Sequence, residues 1–336
     1  MYITVNQKNK ITSDPRTWTT KRCNKNKRVT FEIDNYNPPA YVQRIGDKTY
    51  QDITGFTYTE LHEAGKHYQE FDIPKRNGKL RHIKAPTGKL KAAQAYVMNF
   101  MRYSLMIQPH NCCHGFEKGR SCKTAMQVHQ ANNARWFLKV DFSNFFPSIG
   151  TELLSQMFNS IANFDSYEPL DIEELIWILT DETGHLTQGC KSSPYISNLC
   201  LMDFDYKLTN FCAQHCLTYT RYADDMLISS PYKWDWKGTM RFIRTILPVG
   251  LSINDEKTQY RSMNWHNYSL GICYNKDQQL TVGHAKKNEL KVICHKLELG
   301  QTEGIDKLLW KGRLNYYTSI EPDYFSQTRF DILRRI

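Results

Sequence analysis

The stretch that decides the fold is residues 221–229, which read Arg-Tyr-Ala-Asp-Asp-Met-Leu-Ile-Ser. Two adjacent carboxylates, Asp224 and Asp225, stand at a tight break between two apolar runs with the composition of buried strands. An Asp-Asp pair also suits the turn of an ordinary hairpin, so for this segment alone that simpler interpretation stays open. Side-by-side anions at a strand tip repel each other. A site that binds two or more Mg²⁺ ions would explain why both acids are present.

A third carboxylate, Asp141, lies near the end of another short apolar strand, which runs from Trp136 to Phe142. If this strand lies beside the 219–230 hairpin, Asp141 comes close to Asp224 although the two are far apart in the chain. Three acids could then share two metal ions. Such a pair of ions activates a 3′-hydroxyl, stabilises the leaving pyrophosphate and clamps an in-line displacement. The sequence therefore predicts a site for nucleotidyl transfer.

Size and charge narrow the class of protein. The chain has 336 residues, of which 40% are hydrophobic and 13% aromatic, enough for the large core of a lobed enzyme. It carries 44 Lys and Arg against 34 Asp and Glu, and this net charge of +10 favours a polyanionic partner such as nucleic acid. The apolar runs are too short to cross a bilayer and the N-terminus lacks the pattern of a signal peptide. We therefore expect a cytoplasmic protein with no membrane partner.

The order of elements along the chain is that of an α+β fold with a mainly antiparallel sheet. Residues 1–58 are polar and basic and are typical of an arm. From 71 to 85, two short extended runs meet at Asn77-Gly78, a strong hairpin signal. Helical spacing is predicted at 88–107, 121–132, 193–213 and 285–336, and further strands at 219–230, 258–261 and 268–274.

With these segments in place, the chain resembles the reverse transcriptases, in particular the bacterial retron-like and related defence-associated types, over roughly residues 68–275. Seven blocks occur in the family's order: Ile-Pro-Lys-Arg-Asn-Gly-Lys-Leu-Arg at 73–81, His-Gly-Phe-Glu-Lys-Gly-Arg-Ser at 114–121, Val-Asp-Phe-Ser-Asn-Phe-Phe-Pro-Ser-Ile at 140–149, Gln-Gly-Cys-Lys-Ser-Ser-Pro-Tyr-Ile-Ser-Asn at 188–198, Tyr-Ala-Asp-Asp at 222–225, Asn-Asp-Glu-Lys-Thr at 254–258 and Leu-Gly-Ile at 270–272. Lys-Ser-Ser-Pro at 191–194 disfavours the diversity-generating type, and the end at Ile336 disfavours a full group II intron type.

The resemblance implies a right-hand polymerase with fingers, an antiparallel-sheet palm and a short helical thumb. The expected division is an N-terminal basic arm or extension at 1–58, fingers at 59–137, a palm at 138–275 and a thumb at 276–336. Within the palm, residues from about 150 to 187 are expected to form fingers-like helices.

The resemblance also implies roles for individual residues. The residues expected to be catalytic are Asp141, Asp224 and Asp225. Together with the backbone carbonyl of Phe142, they are expected to bind two Mg²⁺ ions, with Mn²⁺ as an alternative. The ring of Phe146 is expected to lie under the sugar and to exclude a 2′-hydroxyl. The residues expected at the incoming nucleotide are Lys75, Arg81, Phe146, Gln188, Gly189 and Lys257. Those expected at the template and primer are Lys118, Arg120, Leu270 and Gly271.

The expected activity is RNA-directed DNA polymerisation, on a dedicated noncoding RNA, in a bacterial antiphage defence system. The expected partners are this RNA, dNTPs and the DNA product or RNA–DNA duplex; an effector protein or self-association is left open. Two alternatives also stay open: a template-independent or protein-primed polymerase, and a catalytically idle RNA-binding scaffold. The three carboxylates disfavour the scaffold, since uncompensated anions repel each other.

Overall fold

A computed structural model describes residues 50–74, 78, 80–161, 169–262, 267–275 and 277–335. It also describes the backbone of two short paired strands, β1 (Thr4–Val5) and β2 (Asn9–Lys10). Most of the basic segment 1–58 therefore lies outside the described residues, and so does Lys75. The interpretation of that segment as an arm and the role of Lys75 remain predictions.

Helices and strands alternate along the described chain. The helices are α1 (Tyr50–Thr54), α2 (Tyr58–Ala64), α3 (Gly88–Asn99), α4 (Cys122–Ala131), α5 (Thr151–Ser160), α6 (Pro169–Leu179), α7 (Ser193–Cys200), α8 (Met202–Gln214), α9 (Trp236–Thr245), α10 (His284–Glu298), α11 (Lys307–Ile320), α12 (Pro322–Phe325) and α13 (Asp331–Arg334). The further strands are β3 (Tyr68–Pro74), β4 (Leu80–Pro86), β5 (Trp136–Asp141), β6 (Thr218–Tyr222), β7 (Asp225–Ser230), β8 (Gln259–Ser262), β9 (Asn267–Ser269), β10 (Ile272–Tyr274) and β11 (Leu280–Thr281).

The central element is a four-stranded antiparallel sheet in the order β6-β7-β5-β8. Its strands β6 and β7 form the hairpin predicted at 219–230, and β5 pairs with β7 along its whole length. Two smaller antiparallel sheets flank it, β3-β4 and β9-β10-β11. The prediction of an α+β fold with a mainly antiparallel sheet is confirmed.

Strand β5 separates two hydrophobic cores because its side chains alternate between the faces of the sheet. Leu138 and Val140 point into the larger core, which contains α3, α5, α7 and α8. Phe137 points to the other face, into a second core built mainly from the C-terminal helices α10 and α11. The C-terminal segment is therefore packed directly on the central sheet.

Two predicted elements differ from the structure. The helix predicted at 193–213 is two helices, α7 and α8, which meet at Leu201, where the backbone has φ −95° and ψ 5°. The strand predicted at 268–274 is the hairpin β9-β10. Its turn residues, Leu270 and Gly271, have φ of 55° and 77°, a left-handed conformation that reverses the chain and that glycine adopts without strain.

The hairpin predicted from Asn77-Gly78 is formed by β3 and β4, with Tyr68 opposite Pro86 and Pro74 opposite Leu80. Gly78 in the connection has φ 80°. The apolar side chains near the tip, including Ile73 and Leu80, are exposed. Among the described residues, no helix combines the length and the apolar character needed to cross a membrane.

The junction of the two cores predicts the effect of truncating Phe137, which is buried and packs edge-on against the ring of Tyr274 at 5.6 Å. Phe137→Ala should lower the free energy of unfolding by about 3–5 kcal/mol, since it leaves a cavity in the second core. Tyr232→Ala, which truncates an aromatic ring with 66% exposure, is the control and should change it by less than about 0.5 kcal/mol. Urea denaturation measures both; equal effects would mean that the second core contributes little.

Candidate active site

The three acidic residues meet at one end of the central sheet. Asp141 ends β5 and lies directly opposite Asp225, which begins β7. Asp224 occupies the two-residue turn that joins β6 to β7. Its neighbour in the turn, Ala223, has φ 56°, which gives the tight reversal expected of a two-residue hairpin. The antiparallel register therefore brings together carboxylates that are separated by more than eighty residues of sequence.

Two lysines neutralise part of this negative charge. The ammonium of Lys257 donates to Asp141 Oδ2 at 2.5 Å, and Lys139 Nζ lies 2.8 Å from Asp225 Oδ1. The pKa of Lys257 is raised, first by its hydrogen bond to Asp141 and also by the charges of the neighbouring acids. Its position is set by the backbone, because Asn254 N donates to Asp141 O at 2.8 Å and starts the short turn that contains Lys257.

The third acid lies in an environment that disfavours its charge. Burial, the largest cause, and the charges of Asp141 and Asp225 together raise the pKa of Asp224 to about 6. A cation held among the three carboxylates would oppose each of these effects. The site is therefore one that gains from binding positive charge.

A buried ion pair supports the turn from beneath. Arg221, the last residue but one of β6, is fully buried and donates from Nη2 to Asp205 Oδ2 at 2.7 Å. Its Nη1 donates to the carbonyl of Ala223 at 2.9 Å and to Asn198 Oδ1 at 3.0 Å. Burial alone would raise the pKa of Asp205, but the Arg221 guanidinium holds it below its usual range. Through Arg221, the Ala223 carbonyl links the turn that carries Asp224 to α7 and α8.

A loop on the outer side of β6 holds the same turn. Arg221 N donates to Cys112 O and His114 N donates to Arg221 O, both at 2.8 Å. The following residue, Gly115, lies so close that an added Cβ would be 2.6 Å from the amide nitrogen of Ala223. Only glycine allows this approach. The loop 112–115 and the Asp224 turn are therefore packed backbone to backbone.

One group of potential metal ligands lies beneath the turn, where single ligand atoms of Cys112, Cys113 and Asp205 are within 4.8 Å of one another. The positive charge that a metal ion would bring to this group is already supplied by Arg221, which donates to Cys113 Sγ at 2.8 Å as well as to Asp205. Burial raises the pKa of the Cys112 thiol well above its usual value. A neutral thiol is a poor ligand, so we assign this group to the structural network.

The described residues expected at the nucleotide lie on several elements of the structure. Phe146 is half-buried at the start of a short 3₁₀ turn, with its ring centroid 5.3 Å from that of Phe145. Gln188 O accepts from Lys84 N at 2.7 Å, and an added Cβ on Gly189 would be 2.9 Å from Lys84 O. The loop at 188–189 is thus packed against β4. Arg81, on the same strand, is exposed near the tip of the hairpin.

Comparison with known proteins identifies the family. The family model described as reverse transcriptase (RNA-dependent DNA polymerase) matches residues 73–297, about two thirds of the chain. The chain belongs to the reverse transcriptase family. This reverse transcriptase is 26% identical to the retron Ec83 reverse transcriptase of Escherichia coli, with 78% of this chain and 85% of that protein covered. It is 28% identical to the retron Ec73 reverse transcriptase of Escherichia coli, with 77% and 85% covered. It is a retron-like member of the family, an RNA-directed DNA polymerase.

Solved structures of similar shape include telomerase from Candida albicans in complex with a fragment of telomeric RNA. That comparison has a TM-score of 0.48 at 13% identity and covers 80% of this chain and 55% of the telomerase chain.

The residues expected at the template and primer of the reverse transcriptase lie in three places. Arg120 donates to the carbonyls of Asn111 and Cys113, at 2.9 and 2.6 Å, and so braces the loop that holds the Asp224 turn. Lys118 is exposed nearby. Leu270 and Gly271 form the β9-β10 turn, where Gly271 O accepts from Lys286 Nζ of α10. The roles of these residues in contacting nucleic acid stay predictions.

Sequence reasoning missed four residues at this site: Arg221, Asp205, Lys139 and Gly115. A signal was present for Arg221, since an arginine within an apolar strand needs a buried anion to pair with. Asp205 gave a weaker signal, because it lies on α8 among polar residues as well as apolar ones. Lys139 and Gly115 were not recognisable, since their importance comes from cross-strand register and from a close approach between distant segments.

The raised pKa of Asp224 predicts a pH-dependent effect of Asp224→Asn in the presence of EDTA. An acid whose pKa rises from 3.8 to about 6 on folding destabilises the folded state fully above pH 6 and not at all below pH 3.8. At pH 8 the variant should therefore be more stable than the parent, by at most about 3 kcal/mol. The gain should shrink as the pH falls and be absent near pH 3.5. Denaturation curves at several pH values measure it; a gain independent of pH would contradict the assigned cause.

The buried ion pair predicts a large loss of stability when one partner is removed. Arg221→Met should lower the free energy of unfolding by about 3–5 kcal/mol, because it leaves the Asp205 carboxylate buried without its cation. The double variant Arg221→Met/Asp205→Leu should be more stable than Arg221→Met alone, since neither charge is then buried. Arg244→Met, at an exposed pair with Asp255, is the matched control and should cost less than about 1 kcal/mol. Equal losses in the two arginine variants would mean that burial does not matter to the pair.

Proposed function

We propose that this reverse transcriptase adds deoxynucleotides to a primer at Asp141, Asp224 and Asp225, with the aid of two Mg²⁺ ions. The observation that carries the proposal is the register of β5 and β7, which sets Asp141 opposite Asp225 with Asp224 in the adjoining turn. Within a nucleotidyl-transferring family, three carboxylates at one sheet edge match the demand of in-line displacement.

The donor chemistry of the site fits a hard divalent cation. Carboxylate oxygens are the ligands that Mg²⁺ takes in sites of this kind, and Mn²⁺ accepts the same donors. Ammonium groups already lie against Asp141 and Asp225, so the cluster favours positive charge at both ends. The three side chains and the backbone carbonyl of Phe142 would hold the ions. When bound, these would activate the 3′-hydroxyl and stabilise the leaving pyrophosphate.

Protein side chains supply the remaining functions. We propose that Lys257, which donates to Asp141, gives a proton to the departing pyrophosphate. Phe146 offers an apolar ring where the sugar of the incoming nucleotide would lie, and a 2′-hydroxyl would meet this ring. Arg81, on β4 of the fingers hairpin, and Lys75, the residue that follows β3 in the sequence, are proposed to bind the triphosphate, a role suited to a forked and a point cation.

The proposed template is a dedicated noncoding RNA, and the proposed setting is antiphage defence in the bacterial cytoplasm. The similarity to retron reverse transcriptases of Escherichia coli supports this part of the proposal. The net charge of +10 supports a nucleic-acid partner.

The test is to purify the protein with its bound nucleic acid, sequence that RNA, and measure incorporation of labelled dNTPs. We expect incorporation that requires Mg²⁺ or Mn²⁺, falls after RNase treatment, and is lost in Asp224→Asn by at least about a hundredfold. Asp203→Asn removes an exposed carboxylate on α8 and is the control, with activity unchanged.

Incorporation that persists in Asp224→Asn, or without divalent ions, would contradict the two-metal site. Synthesis that is insensitive to RNase and needs no template would instead favour a template-independent or protein-primed polymerase. The defence role is tested separately, by plating phage on cells that carry the native locus with either the parent or Asp224→Asn; equal plaque counts would contradict it.

A further inference from the structure

Phe116 has a strained backbone at the edge of the candidate site. Its φ is 65°, in the left-handed region that a bulky side chain rarely adopts. Such a conformation costs about 1–3 kcal/mol and persists only where the surrounding structure enforces it. The side chain is not used to fill the core, since the residue is 42% exposed. The strain therefore calls for an explanation other than packing.

Both neighbours of Phe116 are held, Gly115 through its backbone and Glu117 through its side chain. Asn198 Nδ2 donates to Gly115 O at 3.0 Å, and Gly115 has no space toward Ala223. On the other side, Glu117 Oε1 accepts from Arg102 Nη2 at 3.1 Å and from Asn198 Nδ2 at 3.4 Å. One asparagine thus fixes both neighbours of the strained residue. The conformation of Phe116 is set by the same network that supports the Asp224 turn.

The ring of Phe116 lies between two residues of the candidate site. Its centroid is 6.4 Å from that of Phe146 and 6.4 Å from that of Tyr222, with interplanar angles of 47° and 39°. Phe146 also contacts Phe145, which is buried, with ring centroids 5.3 Å apart. Phe146 therefore has two aromatic neighbours, the buried ring of Phe145 and the exposed ring of Phe116.

We propose that Phe116 is a positioning residue for sugar selection, which braces the ring of Phe146 so that it cannot tilt away from a 2′-hydroxyl. The inference rests on the proposed function and deepens it. A ring supported on one side alone can rotate aside, and the pocket then admits the larger sugar. Because Phe116 is held through its neighbours Gly115 and Glu117, its position does not depend on the exposed surface around it. The strained backbone of Phe116 serves to keep its ring beside Phe146.

The experiment compares kcat/KM for a dNTP and for the matching rNTP, on an added RNA template and DNA primer, in the parent and four variants. Phe116→Ala should raise the relative use of the rNTP roughly tenfold, as expected when a pocket loses one apolar contact, mainly through a lower KM for the rNTP. Phe116→Tyr keeps the ring and should restore the parental ratio. Phe116→Gly relieves the strain but lacks the ring, so it should behave as Phe116→Ala does. Tyr232→Ala removes another exposed ring, beyond the end of β7 opposite to Asp225, and should change nothing.

A double variant separates positioning from direct contact. Because the brace acts through Phe146, Phe116→Ala should add little to the relaxed selectivity of Phe146→Ala. An unchanged dNTP-to-rNTP ratio in Phe116→Ala, or equal losses of both activities, would overturn the inference while leaving the polymerase proposal intact. Fully additive effects in the double variant would also overturn it, in favour of an independent contact. A parent that incorporates no dNTP would instead overturn the proposed function itself.

Discussion

The buried ion pair between Arg221 and Asp205 is the interaction on which the rest of the site depends. Removing two charges from water is costly, and their attraction repays that cost only when every remaining donor and acceptor is satisfied. Here Arg221 also binds Asn198, Cys113 Sγ and the carbonyl of Ala223, and Asp205 also accepts from the Tyr219 hydroxyl. The network links α7, α8, β6 and the 112–115 loop. The position of the Asp224 turn therefore depends on a buried pair of charges.

Above that network the charges are not balanced, and the acids are in excess. The buried pair is neutral in sum, whereas the three acids at the sheet edge exceed the lysines that contact them. Lys139 and Lys257 reach the acids from β5 and from the segment before β8, so each cation comes from an element already paired with the strand it neutralises. The fold thus sets a lysine side chain against each of two of the three acids.

Local sequence patterns were enough to predict many elements of the fold and the meeting of Asp141 with Asp224 and Asp225. The hairpin that carries Asp224 and Asp225, the strand that ends at Asp141 and the β3-β4 hairpin each have a short-range signal, either alternation or turn residues. The break at Leu201 was missed because apolar spacing continues across it. Gly115 and Phe116 were quoted only as part of a family block. Their importance depends on tertiary contacts, with Ala223 for the first and with Asn198 and Phe146 for the second, which no local pattern encodes.

Strand β5 has a consequence for the geometry of the whole molecule. Phe137 and Asp141 lie on the same face of the sheet, the first in the C-terminal core and the second at the carboxylate cluster. Four residues of extended chain, roughly 13 Å, separate them. The strand therefore sets a fixed distance between the C-terminal core and the carboxylate cluster. Because β5 is hydrogen-bonded on both sides, to β7 and to β8, this distance cannot change without loss of strand pairing.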